Sequence, residues 1–209
     1  MLTDGDLRQM AKQMSIPLEF VGFKDDLPKR IKPNRAYIIN LENEENIEGQ
    51  DNTGSHWTCF IVAEYPNGKT EAIYMDPFGY GSPEIVKKAV KDTFGISLPH
   101  TKADIQSLMS DMCGWYVSAF LHFITASPYR EKNLYDDVAS FMSMFLDLNE
   151  KTDWKHNEYV LKHFFRAKDP ALRKPVEVLD DKEFVPTTKD PRATPLGVSV
   201  DVKYIEHYI

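Results

Sequence analysis

The segment Cys113–Ala126 constrains this chain most. Trp115, Val117, Ala119, Phe120, Leu121, Phe123 and Ile124 leave it almost no polar face at helical spacing. A helix that is apolar nearly all round has to be covered on every side, so it belongs at the centre of a domain. Thr3–Met14 reads as an earlier helix, with Thr3 and Asp6 as a capping-box pair and Leu7, Met10, Ala11 and Met14 as its buried stripe. Pro28 and Pro33 punctuate a connecting loop, and Ala36–Ile39 reads as a buried strand. His56–Glu64 and Lys69–Asp76 read as two strands joined by Tyr65-Pro66-Asn67-Gly68, because Asn-Gly between β-rich runs signals a hairpin. Ser82-Pro83-Glu84 opens a helix, with Ser82 as N-cap and Pro83 at the first helical position. A short strand is expected to end near Gln106, and two helices to follow over Leu134–Leu148 and Trp154–Arg166. The expected fold class is α+β, with a central mixed β-sheet flanked by helices.

Residues 1–167 make one domain in this reading, and 168–209 a proline-rich C-terminal arm. The arm holds Pro170, Pro175, Pro186, Pro191 and Pro195, after which Val198, Val200, Val202 and Tyr204 alternate with polar residues, the period of a half-buried strand. The chain has 209 residues, 42 % hydrophobic and 27 % charged, which suits one globular domain with a sizeable core. Its net charge of −7 argues against a strong, nonspecific grip on nucleic acid or an anionic membrane. The acidic stretch Glu42–Asp51 reads as a solvated loop. No apolar run approaches the roughly 20 residues that span a bilayer, and Met1–Asp6 lacks the layout of a signal peptide. Two cysteines, Cys59 and Cys113, offer no disulfide framework, so a reducing compartment is expected. With six histidines they give no zinc spacing, and neither a metal nor a cofactor is expected.

Four residues carry chemistry in this pattern. Cys113 opens the apolar helix, where the positive end of the helix dipole and a neighbouring imidazolium both favour a thiolate. Its other reading is a small buried hydrophobe. His56 stands at a strand start as a base. Asp76 ends the partner strand and can fix the imidazole tautomer and stabilise its cation. A fold-back at Asn67-Gly68 pairs residues whose numbers sum to about 135, which sets Asp76 opposite Cys59, about three residues short of His56. A bulge or sheet twist is then needed to close the gap. Gln106, seven residues before Cys113, can donate to an oxyanion together with the Cys113 N–H. Trp57 packs, or roofs a substrate groove beside the base. Gly114 lets a substrate backbone approach closely. Cys59 alternates away from His56 and reads as core.

Gly54-Ser55-His56-Trp57, Met75-Asp76-Pro77-Phe78-Gly79, and Gln106 followed by Cys113-Gly114 resemble the adenovirus-type maturation proteases (adenain). That family shares its core with the ubiquitin-like-protein-specific cysteine proteases and has relatives in large DNA viruses, virophages and polintons. The order of elements is also similar over about residues 2–166, and Leu18–Gly22 is part of it. The resemblance implies an adenain-type fold, Cys113 as nucleophile, His56 as general base and acid, Asp76 as orienting carboxylate and Gln106 as oxyanion donor. Adenain has Glu where this chain has Asp76, whereas the deSUMOylating relatives have Asp. The implied substrates are viral capsid precursors cut at glycine-containing sites during virion maturation, and the implied locations are the virion and the host-cell cytoplasm. Adenain is stimulated by a short viral peptide, disulfide-linked to it, and by DNA. Cys59 is not a credible partner for such a peptide, and a −7 chain would bind DNA poorly. Residues 198–208 are therefore expected to add a strand in cis to the sheet edge. In the alternative, the tail has no ordered place.

Competing readings are a deubiquitinase-like or deSUMOylase-like isopeptidase on the same fold, acyl transfer by the same residues, and a virion binding module without catalysis.

Overall fold

Every residue of the strand Ala36–Asn40 is buried, although the strand alternates its side chains between two faces. Such a strand has to be covered from both sides. The computed structural model describes residues 2–45, 54–126, 133–149 and 154–168, and it shows that covering. The order is α1 (Asp4–Gln13), β1 (Leu18–Phe23), a 3-10 turn (Lys24–Asp26), β2 (Ala36–Asn40), β3 (Trp57–Glu64), β4 (Thr70–Met75), α2 (Glu84–Phe94), α3 (Cys113–Ala126), α4 (Leu134–Met142) and α5 (Trp154–Lys168). The four strands form one mixed sheet in the order β1-β2-β3-β4. β1 runs parallel to β2, and the other neighbours are antiparallel.

The class is α+β, and the sheet separates two cores. On one face Val21, Ala36, Ile38, Cys59, Ile61, Ile73 and Met75 pack with residues of α1, α3, α4 and α5. On the other Tyr37, Ile39, Phe60, Val62, Ala72 and Tyr74 meet Val86 and Val90 of α2, with Ile31 and Leu98. α3 is buried from Cys113 through Leu121, as its all-round apolar sequence requires. Phe120 and Phe141 join α3 to α4 edge to face at 5.3 Å. α1 has the full capping box, with Thr3 Oγ1 accepting from the Asp6 N–H and Asp6 accepting from the Thr3 N–H.

Three expectations need correction. The N-cap of α2 is Pro83 rather than Ser82, because the Pro83 carbonyl accepts the Val86 and Lys87 N–H groups while its own φ and ψ stay extended. No strand ends at Gln106. The segment's backbone joins the sheet at a parallel bridge, His100 to Tyr74, then hangs from the Pro77 carbonyl by the Ile105 and Gln106 N–H groups. α4 stops at Met142, six residues before Leu148. Met144 and Phe145 donate to Phe141 and Met142 in tighter turns. The next groups are taken by distant partners: Asn157 accepts the Leu146 N–H, and the Asp104 carbonyl accepts the Leu148 N–H. Most of the acidic loop and the arm, including residues 198–208, lie outside the described residues.

Among the described residues no helix is long and apolar enough to cross a membrane, and no group of three or more His, Cys, Asp or Glu could hold a metal ion.

Candidate active site

The hairpin brings His56 and Asp76 together by register. β3 pairs Cys59 with Met75 and Glu64 with Thr70, so paired numbers sum to 134 (59 + 75), not 135. Asp76 is therefore level with Thr58, two residues from His56, and residues two apart share a side of a strand. A side-chain hydrogen bond spans that diagonal without a bulge: His56 Nε2 to Asp76 Oδ1, 2.7 Å. The shift of one place in register is what turns a mismatch of faces into a contact.

Asp76 is fully buried, and its Oδ1 also accepts the Phe78 N–H at 2.9 Å. The Phe78 ring stacks on the His56 imidazole at 4.5 Å with 23° between the planes. Asp76-Pro77-Phe78-Gly79 is a tight turn, closed by the Gly79 N–H on the Asp76 carbonyl at 2.8 Å. Gly79 has φ +74, and a Cβ there would come within 2.4 Å of the Lys102 carbonyl oxygen. That turn thus needs glycine on two counts.

Cys113 is the first residue of α3 and is 1 % exposed. The Met112 carbonyl receives the Trp115 and Tyr116 N–H groups, which fixes the start of the helix. Cys113 is a neighbour of His56 and, with Asp76, favours the charged form of the ring. Burial opposes a charge on the imidazole. The Asp76 hydrogen bond, then that of Cys113, and the charges of both outweigh it, and the His56 pKa is pushed up to about 9. With Nε2 committed to Asp76, Nδ1 is the remaining hydrogen-bonding atom of the ring.

Gln106 is 1 % exposed, and its Nε2 donates to the Ser110 carbonyl at 2.7 Å. The amide thus braces the loop that leads to Cys113. Its Oε1 is buried without a hydrogen-bond partner among the described residues.

Trp57 and Gly114 are both buried. Trp57 is 6 % exposed, and its indole N–H donates to the Leu2 carbonyl at 2.8 Å. A Cβ on Gly114 would meet Leu2 Cδ1 at 3.1 Å, so both residues lie beneath the N-terminal segment. The cause is a contact across 55 positions that local sequence does not display. Cys59 is fully buried in the core on the α3 side, and burial, then the Asp76 charge, pushes its thiol well up.

Sequence reasoning gave no role to Phe78 or Asn40. Phe78 stood inside the Asp-Pro-Phe-Gly run, whose turn signal was the only pointer to its place beside His56. Asn40 ends β2 opposite Trp57, and its Oδ1 accepts the Glu42 and Ser55 N–H groups. Next to it the Leu41 N–H donates to the His56 carbonyl at 3.0 Å. These bonds fix the backbone on which the imidazole stands.

Compared with known proteins, the chain matches no family model and no curated sequence.

Proposed function

We propose that this chain is a cysteine endopeptidase of the adenain type that cleaves viral capsid precursors at glycine-containing sites, acting in the virion and the host-cell cytoplasm. One observation carries the reading: a partly buried imidazole hydrogen-bonded to a buried carboxylate at 2.7 Å, with a thiol at the start of the central helix as its other neighbour. An imidazolium beside a cysteine is the arrangement that stabilises a thiolate.

In this reading the Cys113 sulfur attacks the scissile carbonyl carbon, and an electron pair moves onto the carbonyl oxygen. The Cys113 N–H and the Gln106 amide meet that oxyanion. One Gln106 N–H is committed to Ser110, so the second is the donor in this step. The C–N bond breaks as His56 gives its proton to the leaving amine. Water, deprotonated by His56, then hydrolyses the thioester and restores Cys113. Asp76 keeps the ring oriented throughout. The buried thiol sets a requirement: the 107–112 loop or the Leu2 segment moves aside when substrate enters.

Asp76, where adenain has Glu, favours the isopeptidase as the second reading. The test incubates wild type and Cys113→Ala with a panel of glycine-containing peptides and with a ubiquitin-like fusion. Cleavage of the peptides by wild type alone is expected. Cleavage of the fusion alone assigns the isopeptidase. Turnover that survives iodoacetamide overturns both.

A further inference from the structure

Asn157 of α5 is fully buried, and its whole amide is used. Nδ2 donates to the Ile105 carbonyl at 2.9 Å and to the Leu146 carbonyl at 2.8 Å, while Oδ1 accepts the Leu146 N–H at 2.7 Å. Ile105 is the residue before Gln106. The N–H groups of both donate to the Pro77 carbonyl, at 2.8 and 3.1 Å, and Pro77 follows Asp76. Gln106 in turn holds the Ser110 carbonyl, three residues before Cys113. A continuous set of hydrogen bonds thus leads from α5 to the Asp76 turn and to the nucleophile loop. Leu108 and Met109, 78 % and 93 % exposed, show how little apolar packing holds that loop. Its place depends on polar anchors.

We propose that Asn157 is a positioning residue for the reaction: it holds Ile105, and through it Gln106 and the 107–112 loop, where the developing oxyanion needs them. The inference rests on the proteolytic reading of Cys113. A misplacement of about 1 Å at such a site costs on the order of 100-fold in rate.

The test compares wild type, Asn157→Ala and Asn157→Asp on a glycine-containing peptide that wild type cleaves. Asn157→Asp keeps the shape and the acceptor for the Leu146 N–H but loses both donors. The expected result for each variant is a kcat lower by about tenfold or more, with KM within about twofold. Iodoacetamide should still alkylate Cys113, at a rate no lower than in wild type, because His56 and Asp76 are not substituted and the loop over the thiol is loosened rather than tightened. Val138→Ala in α4 serves as a control that lowers thermal stability away from the loop, and its kcat should not change. An unchanged kcat in the Asn157 variants overturns the proposal, as does an equal loss in the control. If Asn157→Ala does not fold, Asn157→Asp decides. Failure of both to fold makes Asn157 a residue of the fold alone and also overturns it. Absence of turnover in wild type instead sinks the proteolytic reading itself.

Discussion

Replacing Asp76 by Asn keeps the shape and the oxygen that receives the Phe78 N–H, and removes only the charge. That isolates what the carboxylate does for His56. Burial is the largest influence on the imidazole and acts against its cation; the Asp76 hydrogen bond and charge are two of the influences that outweigh it. In Asp76→Asn the imidazole pKa should therefore drop from about 9 to near or below its ordinary value of about 6.5. Titration of the His56 ring by NMR measures this, and a pKa that stays near 9 would show the Cys113 neighbour to be enough by itself. Turnover should fall by roughly two orders of magnitude or more, since the ring loses its tautomer control. The sequence points to His56, Asp76 and Cys113 as candidates because they sit at the ends of apolar runs. The contact itself is not legible there. It turns on one place in the hairpin register, and a turn motif specifies register only to within that place.

Among the elements, the hairpin and α3 are the most legible, since Asn67-Gly68 and an all-round apolar stretch are local signals. The end of α4 is not, because Asn157 and Asp104, both remote in sequence, capture the backbone of Leu146 and Leu148. The same holds for the covering of Trp57 and Gly114 by Leu2, whose partners lie 55 and more residues away. The two turns that flank β4 permit a matched comparison. Gly68 has φ +81 and open space where a Cβ would stand, whereas Gly79 has φ +74 and the Lys102 carbonyl in the way. Gly68→Ala should cost about 1 kcal/mol, the left-handed backbone alone. Gly79→Ala should cost about 1–3 kcal/mol more, because a backbone segment has to shift. It should also slow turnover through displacement of Asp76, which Gly68→Ala should not. Denaturant unfolding and peptide cleavage measure the two effects, and equal costs at the two sites would contradict the account of the Asp-Pro-Phe-Gly turn.

For the whole molecule, the raised His56 pKa ties stability to pH. The folded chain holds a proton on this ring up to about pH 9, whereas an unfolded chain releases it near its ordinary value of about 6.5. The folded state thus binds more protons in between, and stability must fall as pH rises through that window. Below about pH 6.5 the contribution is fully present; above about pH 9 it is gone. Cys59 acts in the same direction, because burial holds its thiol protonated in the fold, but only where an unfolded cysteine ionises, at about pH 8.5 and above. Asp104 and Glu158, raised by burial, begin their own decline near the ordinary carboxyl range, well below neutrality. The interval from about pH 6.5 to about pH 8 therefore reports mainly on His56. Unfolding free energies from denaturant titrations should decline across it in wild type and stay nearly level in Asp76→Asn, whose His56 has little raised pKa left to lose. A level wild-type curve, or the same decline in both chains, would mean that the imidazole is not held as a cation in the fold, and the thiolate that the proposed proteolysis needs would have no counter-charge.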